Sequence, residues 1–294
     1  MSGVGDDASD DVSNDVSAST PGGPAAPCTV IGGAGFVGQR LVRALRHAGH
    51  EVYVPRRDDA GLFERDLGRV FYCAGLTADF AARPFDTVEA HVGLLAALLR
   101  AGRWDHLIYL SSTRLYDSSA LPVGDEAGAL TLQPANPRHL YDLSKALGEN
   151  LCLTLAPRRT AVARLSCVFD WCAGAPGFLS EWLQRAAAER AFRLDSDAAF
   201  VRDYIHLDDV VQALAAMSAQ GAQGIFNVAS GANVSNGELA EVFNRAGWQV
   251  ELARATRPQP AAVCSVARLR ALGVAPRDVR DVVAAHLQGI RTWN

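Results

Sequence analysis

Tyr141 and Lys145 stand four residues apart in Tyr141-Asp142-Leu143-Ser144-Lys145, a spacing that stacks both side chains on one face of a helix. An ammonium beside a phenol stabilises the phenolate and readies the phenol to exchange a proton with an alcohol or a carbonyl. Lys145 is the sole lysine among 28 Lys and Arg residues. A chain that uses arginine wherever a cation suffices keeps one lysine where a compact ammonium with rotatable donors is required. With six tyrosines and one lysine, a chance Y-x-x-x-K is expected only about 0.02 times, so an ordinary helix-surface pair is the weaker reading. Upstream, Leu107-Ile108-Tyr109-Leu110 reads as a buried strand opening into Ser111-Ser112-Thr113. A hydroxyl at the C-terminal end of such a strand could hold the reacting oxygen of a substrate. Alone it would mean little, because Ser and Thr commonly end strands and cap helices.

These residues need a binding partner for the chemistry, and Gly32-Gly33-Ala34-Gly35-Phe36-Val37-Gly38 supplies a place for one. Gly32, Gly35 and Gly38 form G-x-x-G-x-x-G between a short apolar run and an amphipathic helix bearing Val37, Leu41, Val42 and Leu45. The glycines serve a tight turn, a close approach of backbone N–H groups to a pyrophosphate, and close helix-strand packing. A dinucleotide cofactor follows, with Lys145 placed to reach its nicotinamide ribose as well as the phenol. The acidic residue expected at the end of the second strand is missing: Glu51-Val52-Tyr53-Val54 runs into Pro55-Arg56-Arg57. Arg56 and Arg57 would pair the 2′-phosphate of NADP, which favours NADP over NAD; the competing reading is a pair of solvated loop charges.

The elements that must position these groups alternate. Strands are expected at 28–31, 51–54, 69–73, 106–110 and 160–165, with helices at 36–48, 86–101 and 141–155. Strands separated by helices predict a doubly wound, Rossmann-type α/β parallel sheet over 28–170. Past residue 170, Gly174, Pro176 and Gly177 open a helix to about Arg190; a helix after Asp208, a strand at 225–228 and helices near 236–246 and 278–290 follow. Residues 171–294 therefore read as a smaller, mostly helical substrate lobe, with one strand and helix returning to the sheet. No internal repeat is visible.

At 294 residues, 49% hydrophobic and 20% charged, the chain can bury one substantial core with a smaller lobe attached. Its apolar runs, such as Val92 to Leu99, fall short of the ~20 residues that cross a bilayer. Residues 1–27 hold five Asp and no Lys, Arg or large aromatic residue, a composition that predicts a disordered tail. Neither a secretory signal nor a mitochondrial leader is present in it, and a cytoplasmic location is expected. Without the tail's Asp residues the net charge of −4 moves close to neutral, which excludes a broad field for nucleic acid. Cys28, Cys73, Cys152, Cys167, Cys172 and Cys264 contain no C-x-x-C, so free buried thiols are expected rather than disulfides or a metal site.

The chain resembles the extended short-chain dehydrogenase/reductase family, in its NAD-dependent epimerase/dehydratase branch acting on nucleotide sugars. The resemblance runs from about Cys28 to the C-terminus. It is carried by Gly32/Gly35/Gly38, Cys73-Ala74-Gly75, Ser111-Ser112-Thr113-Arg114-Leu115-Tyr116, Tyr141/Lys145, Arg202-Asp203-Tyr204-Ile205-His206-Leu207-Asp208-Asp209 and Phe226-Asn227-Val228-Ala229-Ser230-Gly231. It implies Ser112 as a catalytic hydroxyl, Tyr141 as general acid/base and Lys145 as holder of the ribose. It further implies cofactor contacts from Gly32, Gly35, Phe36, Val37, Gly38, Ala74, Gly75 and Ser111, and substrate contacts from Ser112, Thr113 and Arg202. Arg202 would clamp a substrate diphosphate; an ion pair to a neighbouring Asp is the alternative. A homodimer through helices 86–101 and 141–155 is also implied.

The pattern departs from the family in several places. Dehydratases look like Thr-Asp-Glu where this chain has Ser112-Thr113-Arg114, which argues against eliminating water. Only 15 residues separate Val54 from Val70, too few for the usual helix and third strand, so the adenine pocket must be built differently. Family Asn positions fall on Cys167 and on His91, the latter read as a packing residue rather than a ligand. The sequence therefore predicts an epimerase or a reductase of a nucleoside-diphosphate sugar. A reductase of a non-sugar carbonyl and a non-catalytic NAD(P)-binding sensor are the alternatives.

Overall fold

The computed structural model describes residues 27–119, 121–256 and 261–292. The disordered tail expected over 1–27 thus falls almost wholly outside the described residues. The buried run β1 (Cys28–Ile31) leads through the glycine loop into α1 (Phe36–His47), and β2 (Val52–Tyr53) and β3 (Arg69–Tyr72) follow. Only a 3-10 turn, Ala60–Phe63, lies between β2 and β3, as the shortage of residues there required. The helix expected over 86–101 is three segments: α2 (Pro84–Val88), a π-helical turn (Glu89–Gly93) and α3 (Leu94–Ala101). Next come β4 (His106–Ser112), β5 (Val123–Gly124), α4 (His139–Leu155), β6 (Thr160–Leu165) and β7 (Cys167–Phe169). The remainder comprises α5 (Phe178–Ala188), β8 (Ala191–Asp197), β9 (Val201–His206), α6 (Leu207–Ala219), β10 (Gly224–Val228), β11 (Asn233–Ser235), α7 (Asn236–Arg245), β12 (Gln249–Arg254), β13 (Val263–Cys264), α8 (Ala267–Ala271) and α9 (Val279–Thr292).

Six strands in the order β10-β6-β4-β3-β1-β2 form one sheet, parallel at every pairing. One face buries Leu41, Val42 and Leu45 of α1 with Val210 and Leu214 of α6. The other buries Leu95 and Leu98 of α3, Cys152 of α4 and the rings of Tyr72 and Tyr109. The chain leaves β1 for β2 on one side and returns to β3 on the other. That reversal opens a crevice at the C-terminal ends of β1 and β3, where doubly wound sheets bind ligands.

The C-terminal part has a core of its own around Trp182, Phe243, Trp248, Val283 and Leu287. It also carries more strand than the sequence expectation of a mostly helical lobe: β9 pairs with β7 and β11, and β8 with β12. The alternation in β8 is real, with Phe192 and Ser196 buried. Arg193 and Asp195 between them, and Asp197 just beyond, hide it from a hydrophobicity pattern. No helix among the described residues is long and apolar enough to cross a membrane.

Candidate active site

The glycine loop is shaped by backbone contact. Gly32 has φ +80, and a Cβ there would stand 2.6 Å from the Ala74 nitrogen. A Cβ on Gly38 would stand 2.4 Å from the Gly32 carbonyl oxygen. Gly35 is different: its Cβ would meet only the Gly32 oxygen at 3.3 Å. Gly35 caps α1 without a side-chain hydrogen bond, and the first turn holds no acidic residue. The first N–H groups and the positive end of the helix dipole are thus left for an anion.

A cavity of about 650 Å³ runs along this helix start, past Ala74 and Gly75, to Ser111, Ser112, Thr113, Tyr141 and Lys145. A second, of about 600 Å³, continues from it. Thr113, Arg114, Asp117, Arg138, Cys167, Phe200 and Arg202 line both. Of the residues singled out in the sequence, Gly35, Phe36, Val37, Gly38, Ala74, Gly75, Ser111, Ser112, Thr113, Tyr141, Lys145 and Arg202 thus come together in one cavity wall. Gly32 frames the loop from behind. Arg56 and Arg57 are exposed just past β2 and outside the lining.

Tyr141 is buried on α4. Burial raises its phenol above the ordinary value, while hydrogen bonds with Ser112 and Thr77 and the charge of Arg114 pull it back. Ser112 ends β4, and its hydroxyl accepts from the Arg114 N–H at 3.2 Å. One turn along α4, the Lys145 ammonium donates to the Leu110 carbonyl at 2.8 Å. Complete burial drives Lys145 down to about 7, against the opposing pull of Glu149 and Cys73. Glu149 in turn pairs with Arg164 of β6 through two hydrogen bonds, 2.9 and 2.6 Å long. Arg164 donates to the Tyr116 hydroxyl at 2.7 Å. Helix α4 is thereby tied to the sheet by buried, fully engaged polar groups.

His91, in the π-helical turn, lies edge-on to Tyr141 at 5.3 Å, with its Nδ1 2.8 Å from the Ser144 hydroxyl. Burial and the Lys145 charge push it down to about 3, so it is a neutral packing ring. Arg202 lies 3.7 Å from Asp117 rather than beside its sequence neighbours; Asp203 instead accepts from the N–H groups of Ser230 and Gly231. Thr77, Phe80, Arg114 and Arg138 escaped the sequence reading as site residues. Arg114 was signalled only as a break in a motif, and Thr77 and Phe80 lie in an irregular loop with no spacing to reveal them. No disulfide links the cysteines among the described residues, but Cys167 and Cys172 are exposed, which corrects the expectation of buried thiols. Cys167 opens β7 and Cys172 lies just past its end, where burial gives way to solvent.

The sequence profile of the NAD dependent epimerase/dehydratase family matches residues 28–229. The chain belongs to that family. Among solved structures, it is similar to MoeE5 in complex with UDP-glucose and NAD, at 22% identity and TM-score 0.73, covering 91% of this chain and 100% of that one. UDP-glucose 4-epimerase from Thermotoga maritima gives 19% identity and TM-score 0.71, over 91% and 100%. RMD from Pseudomonas aeruginosa complexed with NADPH gives 23% and 0.71, over 91% and 100%. No curated protein matches significantly. This member of the epimerase/dehydratase family is an NAD(P)-dependent enzyme of the short-chain dehydrogenase/reductase type. Its residues fit the dinucleotide: Gly32 and Gly38 admit no side chain, α1 begins uncapped, and the buried Ser111 hydroxyl in the cavity wall has no protein partner.

Proposed function

We propose that this enzyme is an epimerase or a reductase of a nucleoside-diphosphate sugar, with Tyr141 as general acid/base, Ser112 holding the reacting oxygen and Lys145 holding the nicotinamide ribose. One observation carries this reading. Ser112, Tyr141 and Lys145 line the same cavity as the uncapped start of α1, and that cavity opens through Arg114, Arg138 and Arg202 into a second one. The first has the wall of a dinucleotide site, and the second has cations at its mouth for a diphosphate. Structural relatives support the substrate class, since MoeE5 was solved with UDP-glucose and an epimerase from Methanobrevibacter ruminantium with UDP-N-acetylmuramic acid.

NADP or NAD, when bound, supplies hydride acceptance and donation. The chain does the rest. Phe36, Val37 and Gly38 would present N–H groups to the pyrophosphate, while Gly35, whose own N–H donates to the Gly32 carbonyl, would leave room for its approach; Ala74, Gly75 and Ser111 would border its path. The Tyr141 oxygen takes the proton of a sugar hydroxyl in the oxidising direction and returns it in the reducing one. Ser112 donates to the same sugar oxygen as it becomes a carbonyl, and Thr113 borders it. Arg202 pairs with the diphosphate. Turnover without net change of the cofactor would give an epimer, and a ketone taken from solution would give an alcohol.

NADP is the preferred form in this reading. The end of β2 abuts the glycine loop, for a Cβ on Gly33 would stand 2.6 Å from a Val54 methyl. Arg56 and Arg57 come two and three residues later, in reach of an adenosine 2′-phosphate. We assign residues 28–170 to cofactor binding and 171–294 mainly to substrate. A homodimer through α2 and α4 is supported by exposed Phe85, Val88, Leu147 and Leu155 on those helices.

The deciding experiment is proton NMR of a nucleotide-sugar panel with the purified protein and NADP, NADPH, NAD or NADH. A new stereoisomer without net cofactor change establishes an epimerase, and a stoichiometric alcohol or ketone a reductase or dehydrogenase. No change with any sugar overturns the substrate class in favour of a non-sugar carbonyl or a sensor.

A further inference from the structure

The phenol of Tyr141 has a second cation beside it that the Y-x-x-x-K pattern does not contain. Arg114 lies in the 3-10 turn following β4. Its guanidinium carbon is 5.0 Å from the centre of the Tyr141 ring and 4.8 Å from that of Phe80. Its Nε is 3.3 Å from an Asp142 oxygen, and an Nη donates to the Arg138 carbonyl at 3.1 Å. A guanidinium fixed by two rings, a carboxylate and a carbonyl has little freedom to wander, and it lines both cavities.

We propose that Arg114 is a positioning residue that sets how readily the Tyr141 phenol gives up its proton, a task the sequence pattern assigns to Lys145 alone. This rests on the reading of Tyr141 as the acid/base. The groups facing Tyr141 are Asp142 and Lys145 on its own helix, Tyr109 on β4, His91 in the π-helical turn, and Arg114. His91 is neutral and Tyr109 is held protonated by burial. Lys145 spends its ammonium on the Leu110 carbonyl and on the Tyr109 ring, 4.9 Å away. Burial also strips that ammonium of its proton near neutral pH, whereas a guanidinium stays charged throughout. Among charged groups, Arg114 has the largest effect on Tyr141, and it favours the phenolate. Asp142 opposes it, so the pair trims the phenol rather than ionising it outright.

The test is an ultraviolet difference titration of the full-length protein against Tyr141→Phe, which isolates one phenol, repeated with Arg114→Met and Arg114→Lys. Arg114→Met should move the Tyr141 ionisation upward by about one pH unit, and the rising limb of kcat/KM with it. Arg114→Lys should restore most of both. An unmoved titration and pH profile in Arg114→Met overturns the proposal, and a rise in KM alone would then make Arg114 a substrate contact. Arg114→Gln replaces the Met variant if the latter does not fold. The titration needs no substrate, so it decides the role of Arg114 separately; full turnover by Tyr141→Phe would instead sink the acid/base reading.

Discussion

The Lys145 ammonium hydrogen-bonds the Leu110 carbonyl at 2.8 Å, which pins the middle of α4 to the strand end that carries Ser111 and Ser112. Lys145 is wholly buried, and its folded value of about 7 lies below the ordinary 10.5. Below pH ~7 both folded and unfolded chains carry the charge, and the full cost of burying it is felt. Between about 7 and 10.5 the unfolded chain holds the proton that the folded chain has lost, so stability rises with pH. Lys145→Met should therefore stabilise the protein most at acidic pH, by on the order of 5 kcal/mol, with the gain shrinking towards high pH. Melting temperatures of both proteins across this range check it. A gain that grows with pH would contradict the assignment.

Tyr141→Phe keeps the ring against Phe80 and His91 and removes only the hydroxyl proposed to carry the proton. Turnover should fall by roughly 10²–10⁴, while cofactor affinity, measured by calorimetry, stays within a few-fold. Unchanged turnover is the outcome expected of a sensor. Arg202→Ala should weaken binding of UDP; unchanged binding would count against a diphosphate clamp.

The glycines of the loop should separate by variant. Gly38→Ala forces a methyl to 2.4 Å from a backbone oxygen, so both melting temperature and dinucleotide binding should drop. Gly35→Ala meets only a 3.3 Å contact, so folding should survive while dinucleotide binding weakens at the phosphates. Thermal melts with and without NADP distinguish the two cases.

Glu149 and Arg164 are both almost wholly buried. Glu149→Ala would leave the Arg164 charge without its carboxylate, at a cost of about 3–5 kcal/mol, visible in chemical denaturation. Replacing both residues with Met should cost less than the single change, because no charge is then stranded.

Arg56→Ala with Arg57→Ala should lower kcat/KM for NADPH more than tenfold and leave that for NADH nearly unchanged. An unaltered ratio would make both arginines solvated loop charges.

Local pattern determined much of this protein. The strand-glycine-helix junction at Cys28–Gly38, the alternation of strands and helices, and the Tyr141/Lys145 spacing are short-range signals written in residue type. Each survived because backbone geometry enforces it: no side chain fits at Gly32 or Gly38, and a helix places i and i+4 together wherever it lies. Strands β8 and β12 were not legible because their charged outer residues mask the alternation, β9 because it buries the charged Asp203, and β11 because its three residues are too few to show a period. The surroundings of the phenol were hidden because they lie apart along the chain. Thr77, Phe80 and His91 come from the connection between β3 and β4 and Arg114 from the turn after β4, and only the close packing of α2, the π-helical turn and α4 beside the end of β4 gathers them around Tyr141. Sequence by itself thus singled out the Tyr141/Lys145 pair and the glycine loop, while tertiary structure decided which charges the phenol feels, since Coulomb interactions depend on distance and burial rather than on order along the chain.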